Sequence, residues 1–231
     1  MSPKRIAILV NKYELFKKNR MANEISNIIK SKKIENIIFD LGGVLLDLDF
    51  EKTNLEFSKF GIQNFNELFF YSQNKDFYYN FEKGLVSPYD FRQAVKSELN
   101  LNISDDDFDT AWNALLLEYN DKRIALLKEL KSKYRTFLLS NTNEIHYHCY
   151  SKTLREKHQI EKLEYLFEKA YFSFEMNYRK PETEIYKFVL EQSKLKPERT
   201  LFIDDYLENI EAAQKLGIQT FHLTSELVSV F

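Results

Sequence analysis

The sequence predicts an α/β protein: a parallel sheet flanked by helices and interrupted after its first strand by a helical insertion. Three observations carry this expectation. Short apolar runs recur and end on polar residues, helical patterns separate them, and residues 50–120 break the alternation.

The runs come in order. Ile37-Ile38-Phe39 ends at Asp40, Thr136 to Leu139 ends at Ser140, and Ala170-Tyr171-Phe172 runs into Ser173. Leu201-Phe202-Ile203 ends at Asp204, and Thr220 to Leu223 closes the set. Each has the length and apolar continuity of a strand buried on both faces. Helical spacing appears between them at Ile124, Leu127 and Leu130, at Ile185, Phe188 and Val189, and at Ile210, Ala213 and Leu216, with Gly217 where a helix-ending residue belongs. Parallel sheets of this kind bind ligands outside the carboxyl ends of their strands, so the polar residues that end the runs should converge there.

Residues 50–120 carry helix-capping signals instead, at Ser87-Pro88-Tyr89-Asp90 and Ser104-Asp105-Asp106-Asp107. They also hold 16 of the chain's 35 aromatic residues, enough to fill a small helical core. The aspartates at 105–107 read as first-turn acids that satisfy orphan N–H groups, not as metal ligands. The chain therefore divides into an N-terminal extension (1–33), an α/β core (34–49 and 121–231) and a helical cap (50–120).

Composition narrows the function. The net charge is −2, but residues 1–33 hold nine Lys/Arg against two Glu, so the basic excess is local. With two arginines and no aromatic ladder, that segment reads as a solvated amphipathic extension rather than a nucleic-acid-binding arm, and Met21 is an alternative natural start. No apolar run approaches the roughly eighteen residues of a membrane span. The single cysteine, Cys149, and the lack of a secretory h-region point to the cytoplasm, as monomer or homodimer. Five glycines, against an average usage of roughly 7%, leave no dinucleotide fingerprint and no Walker-A loop.

Asp40, followed by Leu41-Gly42-Gly43, is placed to attack phosphorus, provided that the phosphoryl charge is neutralised. Asp204-Asp205 are oxygen ligands of the type Mg²⁺ prefers. Ser140-Asn141 offer hydroxyl, amide and backbone donors, and Lys180, before Pro181 at an expected helix start, offers an ammonium. His146, five residues beyond Asn141, is a candidate proton donor to a leaving group, whereas His148, His158 and His222 lack the spacing of a zinc site.

In this order, Phe39-Asp40-Leu41-Gly42-Gly43-Val44-Leu45, Leu139-Ser140-Asn141-Thr142-Asn143, Arg179-Lys180-Pro181 and Phe202-Ile203-Asp204-Asp205 resemble the haloacid dehalogenase-like (HAD) hydrolase superfamily. Within it the chain looks most like the helical-capped phosphatases, among them the α-D-glucose-1-phosphate phosphatase type and the N-terminal domain of soluble epoxide hydrolases. The resemblance implies a Rossmannoid sheet with the cap inserted after the first strand, Mg²⁺ as cofactor, and a small phosphate ester as substrate. It implies Asp40 as nucleophile and metal ligand, Leu41 or Gly42 as a main-chain ligand, and Asp204 and Asp205 completing the metal site. Ser140, Asn141, Gly42 and Gly43 would contact phosphate, and Lys180 would neutralise it.

One position departs from the family. Two residues after the nucleophile most of these phosphatases carry a second aspartate, which serves as general acid and base; here it is Gly42. Losing such a group costs about 10²–10⁴-fold. A sugar 1-phosphate would tolerate the loss, because its anomeric oxygen leaves more readily unprotonated; another group could also serve in the aspartate's place. Two other readings accommodate Gly42: a 2-haloacid dehalogenase, in which halide needs no proton, and a catalytically impaired phosphate-binding protein. Against the first, Asp204-Asp205 would repel a carboxylate substrate in the absence of a metal. Against the second, the other motif residues are intact.

Overall fold

The computed structural model describes residues 3–70 and 75–231, with side chains from residue 18 onward except at 69, 70 and 75. Residues 1–2 of the basic extension and 71–74 of the predicted cap lie outside the described residues. The chain begins with helix α1 (Pro3–Lys32) and enters the sheet at β1 (Asn36–Phe39), whose four residues are all buried.

Among the described residues the main sheet has five parallel strands. They are β1, β4 (Arg135–Ser140), β5 (Lys169–Phe172), β6 (Thr200–Asp204) and β7 (Gln219–His222), in the order β5-β4-β1-β6-β7. All five lie where the apolar runs predict them. Phe39 pairs with Leu138 on one side and Ile203 on the other. Asp40, Ser140 and Asp204 therefore emerge at the same edge of three neighbouring strands, which are spaced about 4.8 Å apart.

Helices cover both faces of the sheet. On one side α1, α7 (Asp121–Lys131) and α8 (Glu144–His158) bury Ile25, Leu127 and Leu154 against Ile37 and Leu138. On the other, beyond the one-turn α9 (Ser173–Met176), α10 (Thr183–Gln192) and α11 (Leu207–Gln214) bury Ile185, Val189 and Ala213 against Ile38 and Phe202. The extension is not purely solvated as its charge suggests: Met21 and Ile25 are buried, and Met21 Sδ accepts from Ser225 Oγ at 3.4 Å. Among the described residues, no helix is long and apolar enough to cross a membrane.

Between β1 and α7 lie α2 (Phe50–Ser58), α3 (Phe65–Phe70), α4 (Lys75–Glu82), α5 (Pro88–Glu98) and α6 (Asp105–Asn113). Ser87 and Ser104 cap α5 and α6 as their motifs predict, accepting from Asp90 N and Asp107 N at 3.1 and 3.0 Å. Asp105 pairs with Lys96 at 2.5 Å, in keeping with a structural role for the first-turn acids. Phe57, Phe65, Phe91, Phe108 and Trp112 form a separate core.

The stretch read as helical also contains a strand. Residues Leu116–Tyr119 (β3) pair antiparallel with Leu46–Leu48 (β2), so chain entering and leaving the helical insertion runs through one two-stranded ribbon. Pro181 differs from expectation too. It lies two residues before α10 instead of at its first position, and its bond to Lys180 is cis.

Candidate active site

Asp40 leaves β1 with its N–H bonded to Ile203 O at 2.9 Å, while one carboxylate oxygen accepts from Leu41 N at 2.7 Å. The chain then folds back on itself. Leu41 O accepts from both Leu45 N and Leu46 N at 2.8 Å, and Gly43 N donates to Leu46 O at 2.9 Å. Two backbone donors fill the lone pairs of Leu41 O, so of the two main-chain metal candidates Gly42 is the one this turn leaves for that role.

Gly43 has φ +70°, and a Cβ there would lie 2.1 Å from Asp205 Oδ2. Glycine is required on both counts: the left-handed backbone, and the close approach of a carboxylate to the main chain. Gly42 is different. A Cβ would meet only the flexible Leu48 side chain, at 2.8 Å, so an apolar residue of β2 occupies the volume into which a side chain at position 42 would grow.

One oxygen each from Asp40, Asp204 and Asp205 lies within 4.8 Å of the others. Lys180 bridges two of them, with Nζ 2.7 Å from Asp40 Oδ1 and 2.7 Å from Asp204 Oδ2. Lys180 is 1% exposed and Asp204 is fully buried. Burial pushes the Lys180 pKa down, but Asp204 and Asp40 outweigh it and hold the ammonium protonated. Burial raises Asp40 to about 8 despite Lys180, with Asp204 adding to the rise. Asp205 is likewise raised, by burial and then by Asp204.

Fully ionised, the three carboxylates would outnumber the one ammonium by two charges in a desolvated space, a state that burial and the neighbouring carboxylates disfavour at Asp40 and Asp205. A divalent cation with a preference for hard oxygen ligands removes that excess, and the donor set fits Mg²⁺.

Asp204 is held on every side. Tyr206 N donates to Oδ1 at 2.8 Å, and Asn209 Nδ2 reaches both oxygens at 3.0 and 3.1 Å. Asn209 is anchored in turn by Tyr186 Oη, which donates to its carbonyl at 3.0 Å. The sequence alone marks Asn209 for this role only by its position five residues after Asp204, at the start of a helix.

Ser140 is buried at the end of β4, and its hydroxyl makes only a long 3.5 Å contact with Asn141 O, leaving its donor capacity little used. The Asn141 side-chain amide already has partners of its own. Its Nδ2 donates to Lys180 O and its Oδ1 accepts from Lys180 N, both at 2.8 Å, so the amide grips the lysine's main chain from both sides.

His146 sits apart from this network, in the seam between α8 and α6. Its ring stacks on Trp112 at 5.3 Å, Nδ1 lies 2.8 Å from Asn113 Oδ1, and burial pushes its pKa down to about 3. It is a neutral, packed imidazole. Asp47 pairs with Arg123 at 2.8 Å, and His222 Nε2 lies 3.0 Å from Asp205 O.

A parallel sheet with an inserted helical unit and an acidic cluster at its strand ends defines a class, the α/β proteins with a helical insertion after the first strand and a carboxylate site at the strand ends. The chain belongs to the haloacid dehalogenase-like hydrolases, whose family pattern matches residues 34–217. It is 28% identical over 190 residues to a D-ribitol-5-phosphate phosphatase of Bacteroides thetaiotaomicron, covering 81% of this chain and 91% of that protein. It is 29% identical over 193 residues to a sesquiterpene phosphatase of Aspergillus oryzae, covering 83% of this chain and 91% of that one. A crystal structure of a HAD family enzyme from B. thetaiotaomicron, in complex with magnesium and inorganic phosphate, superposes with a TM-score of 0.77 at 40% identity, over 82% of this chain and 93% of the other.

Proposed function

We propose that this hydrolase is a Mg²⁺-dependent phosphatase of small phosphate monoesters, sugar phosphates among them, acting through an aspartyl-phosphate on Asp40. The observation that carries the reading is the buried cluster in which Lys180 bridges Asp40 and Asp204 while Asp205 completes a hard-oxygen set. The phosphatase names of both relatives and the magnesium and phosphate of the similar crystal structure support it.

Asp40, Asp204, Asp205 and the Gly42 carbonyl would hold the metal, which when bound neutralises phosphoryl charge. The free Asp40 oxygen attacks phosphorus; the new O–P bond forms as the ester P–O bond breaks, and the departing alkoxide takes its proton from water. Lys180 and the Ser140 hydroxyl stabilise the phosphoryl oxygens as they move. Water then attacks the phosphorus of phospho-Asp40, releasing phosphate and restoring the carboxylate. Asn209 and Asn141 keep Asp204 and Lys180 in place throughout.

Gly42 shapes the substrate class. With Leu48 beside it rather than an acid, phosphate esters whose leaving oxygen departs unprotonated are favoured. The test is a screen of sugar and aryl phosphates with and without Mg²⁺, alongside Asp40→Asn. Chelation and the substitution should each abolish turnover, and rates should fall by about 10²-fold or more from α-glucose 1-phosphate to glucose 6-phosphate. Turnover that survives in Asp40→Asn or under chelation removes the mechanism; equal rates on the two sugar phosphates remove the leaving-group argument.

A further inference from the structure

Glu82, the last residue of α4, is a cap carboxylate that is only 5% exposed, and both of its oxygens are occupied. Tyr78 Oη donates to Oε1 at 2.9 Å, and Arg179 Nε donates to Oε2 at 2.8 Å. Arg179 is itself largely enclosed: its side chain is 17% exposed and its guanidinium lies 3.8 Å above the Tyr79 ring. Its main-chain N–H donates to Glu182 Oε2 at 3.2 Å, and Glu182 Oε1 receives Lys83 Nζ at 3.1 Å.

Two further contacts close the seam. Asn177 Nδ2 donates to Lys83 O at 2.8 Å, and Gly84 packs so tightly that a Cβ would lie 2.0 Å from Phe174 O. Cap residues 78–84 and core residues 174–182 are thus joined by two ion pairs, a cation–π contact, a hydrogen bond and a backbone abutment.

The core half of this seam runs directly into Lys180. From the sheet side, Asn141 grips the lysine main chain; from the cap side, its preceding residue is fixed by Glu82. An apolar pair would seal the seam without the desolvation cost of burying two charges, whereas the ion pair fixes direction and register.

We propose that Glu82 is a positioning residue that acts through Arg179 on Lys180, so that the seating of the cap sets where the ammonium lies between Asp40 and Asp204. The proposal rests on the hydrolase reading for its catalytic consequence, but the coupling itself can be read without turnover.

The test compares wild type with Glu82→Gln, Arg179→Gln and the double variant, well below their melting temperatures. Steady-state turnover of p-nitrophenyl phosphate with Mg²⁺ is measured together with hydrogen exchange at the Lys180 amide. Each single variant should lower kcat about tenfold with KM within about twofold, and the double should be no worse than either single, because the two residues act as one unit. The Lys180 amide, bonded to Asn141 Oδ1, should exchange about tenfold faster in Glu82→Gln.

Phe57→Ala, which loosens the cap core and leaves the ion pair intact, serves as the control and should hold kcat within about threefold. Unchanged exchange, additive kcat losses, or a loss in Phe57→Ala equal to that in Glu82→Gln would each overturn the proposal. If wild type turns over no phosphate ester, the phosphatase reading falls and the exchange measurement alone decides the coupling.

Discussion

The strand-end cluster and the cap interior solve opposite problems. Asp204, Lys180 and Asn209 are buried and joined by hydrogen bonds that, with the Tyr206 N–H, run from 2.7 to 3.1 Å, so that the Asp204 carboxylate has one orientation. Inside the cap the contacts are rings: Phe57 stacks on Phe65 at 3.8 Å and Phe81 on Phe91 at 3.9 Å, with Trp112 edge-on to Phe91 at 5.0 Å. Aromatic packing is tolerant of exchange among shapes of equal volume, while a hydrogen-bonded charge cluster is not. The difference teaches where the molecule fixes single side-chain orientations and where it needs only to fill volume.

Three experiments would break or sharpen that contrast. The largest effect is expected in the cap. Phe57→Ala should cost about 3–5 kcal/mol of stability by denaturant titration, as buried Phe truncations do. A loss below about 1 kcal/mol would show that the rings are not a packed core.

At the site, adjacent glycines should behave unequally. Gly43→Ala forces a Cβ into a left-handed backbone against Asp205 Oδ2 and should cost about 2 kcal/mol along with most of the magnesium affinity measured by calorimetry. Gly42→Ala displaces only Leu48 Cδ1 and should leave both within error. Equal effects would mean that the tight turn is not built around Asp205.

At neutral pH the smallest effect lies between α6 and α8, and it grows only as the pH falls. His146 has its pKa depressed to about 3 by burial, below its ordinary 6.5, so the unfolded chain binds its proton more readily. Stability from this group is present above pH 6.5 and is lost as pH falls toward 3, at up to about 1.4 kcal/mol per pH unit. His146→Gln should flatten the melting temperature between pH 6.5 and 4 relative to wild type; parallel curves would contradict a buried neutral imidazole.

Much of this was legible in the sequence, for a physical reason. A strand buried on both faces must be continuously apolar, so its first polar residue marks the sheet edge, and Asp40, Ser140 and Asp204 are such residues. What was not legible depended on partners distant in the chain. Glu82 and Arg179 are 97 residues apart, and nothing local to either declares the pairing.

Asn141 illustrates a subtler loss. Its position after β4 was apparent, but whether its amide meets a ligand or a neighbouring main chain is decided by where Lys180 runs. His146 was at a suitable spacing from the strand end, and the Trp112 ring supplied by α6 turned it into the seam. The β2–β3 ribbon escaped notice because three- and four-residue strands carry too few positions to show a period, and their pairing spans the whole insertion.

That ribbon has a consequence for engineering. Because Leu48 lies opposite Leu116, the two ends of the helical unit sit side by side, as hinge leaves do on a door frame. The entropic cost of closing a loop between fixed ends grows only slowly with its length. A helical unit of different size or helix count can therefore be grafted at this doorway with the five-stranded sheet left standing.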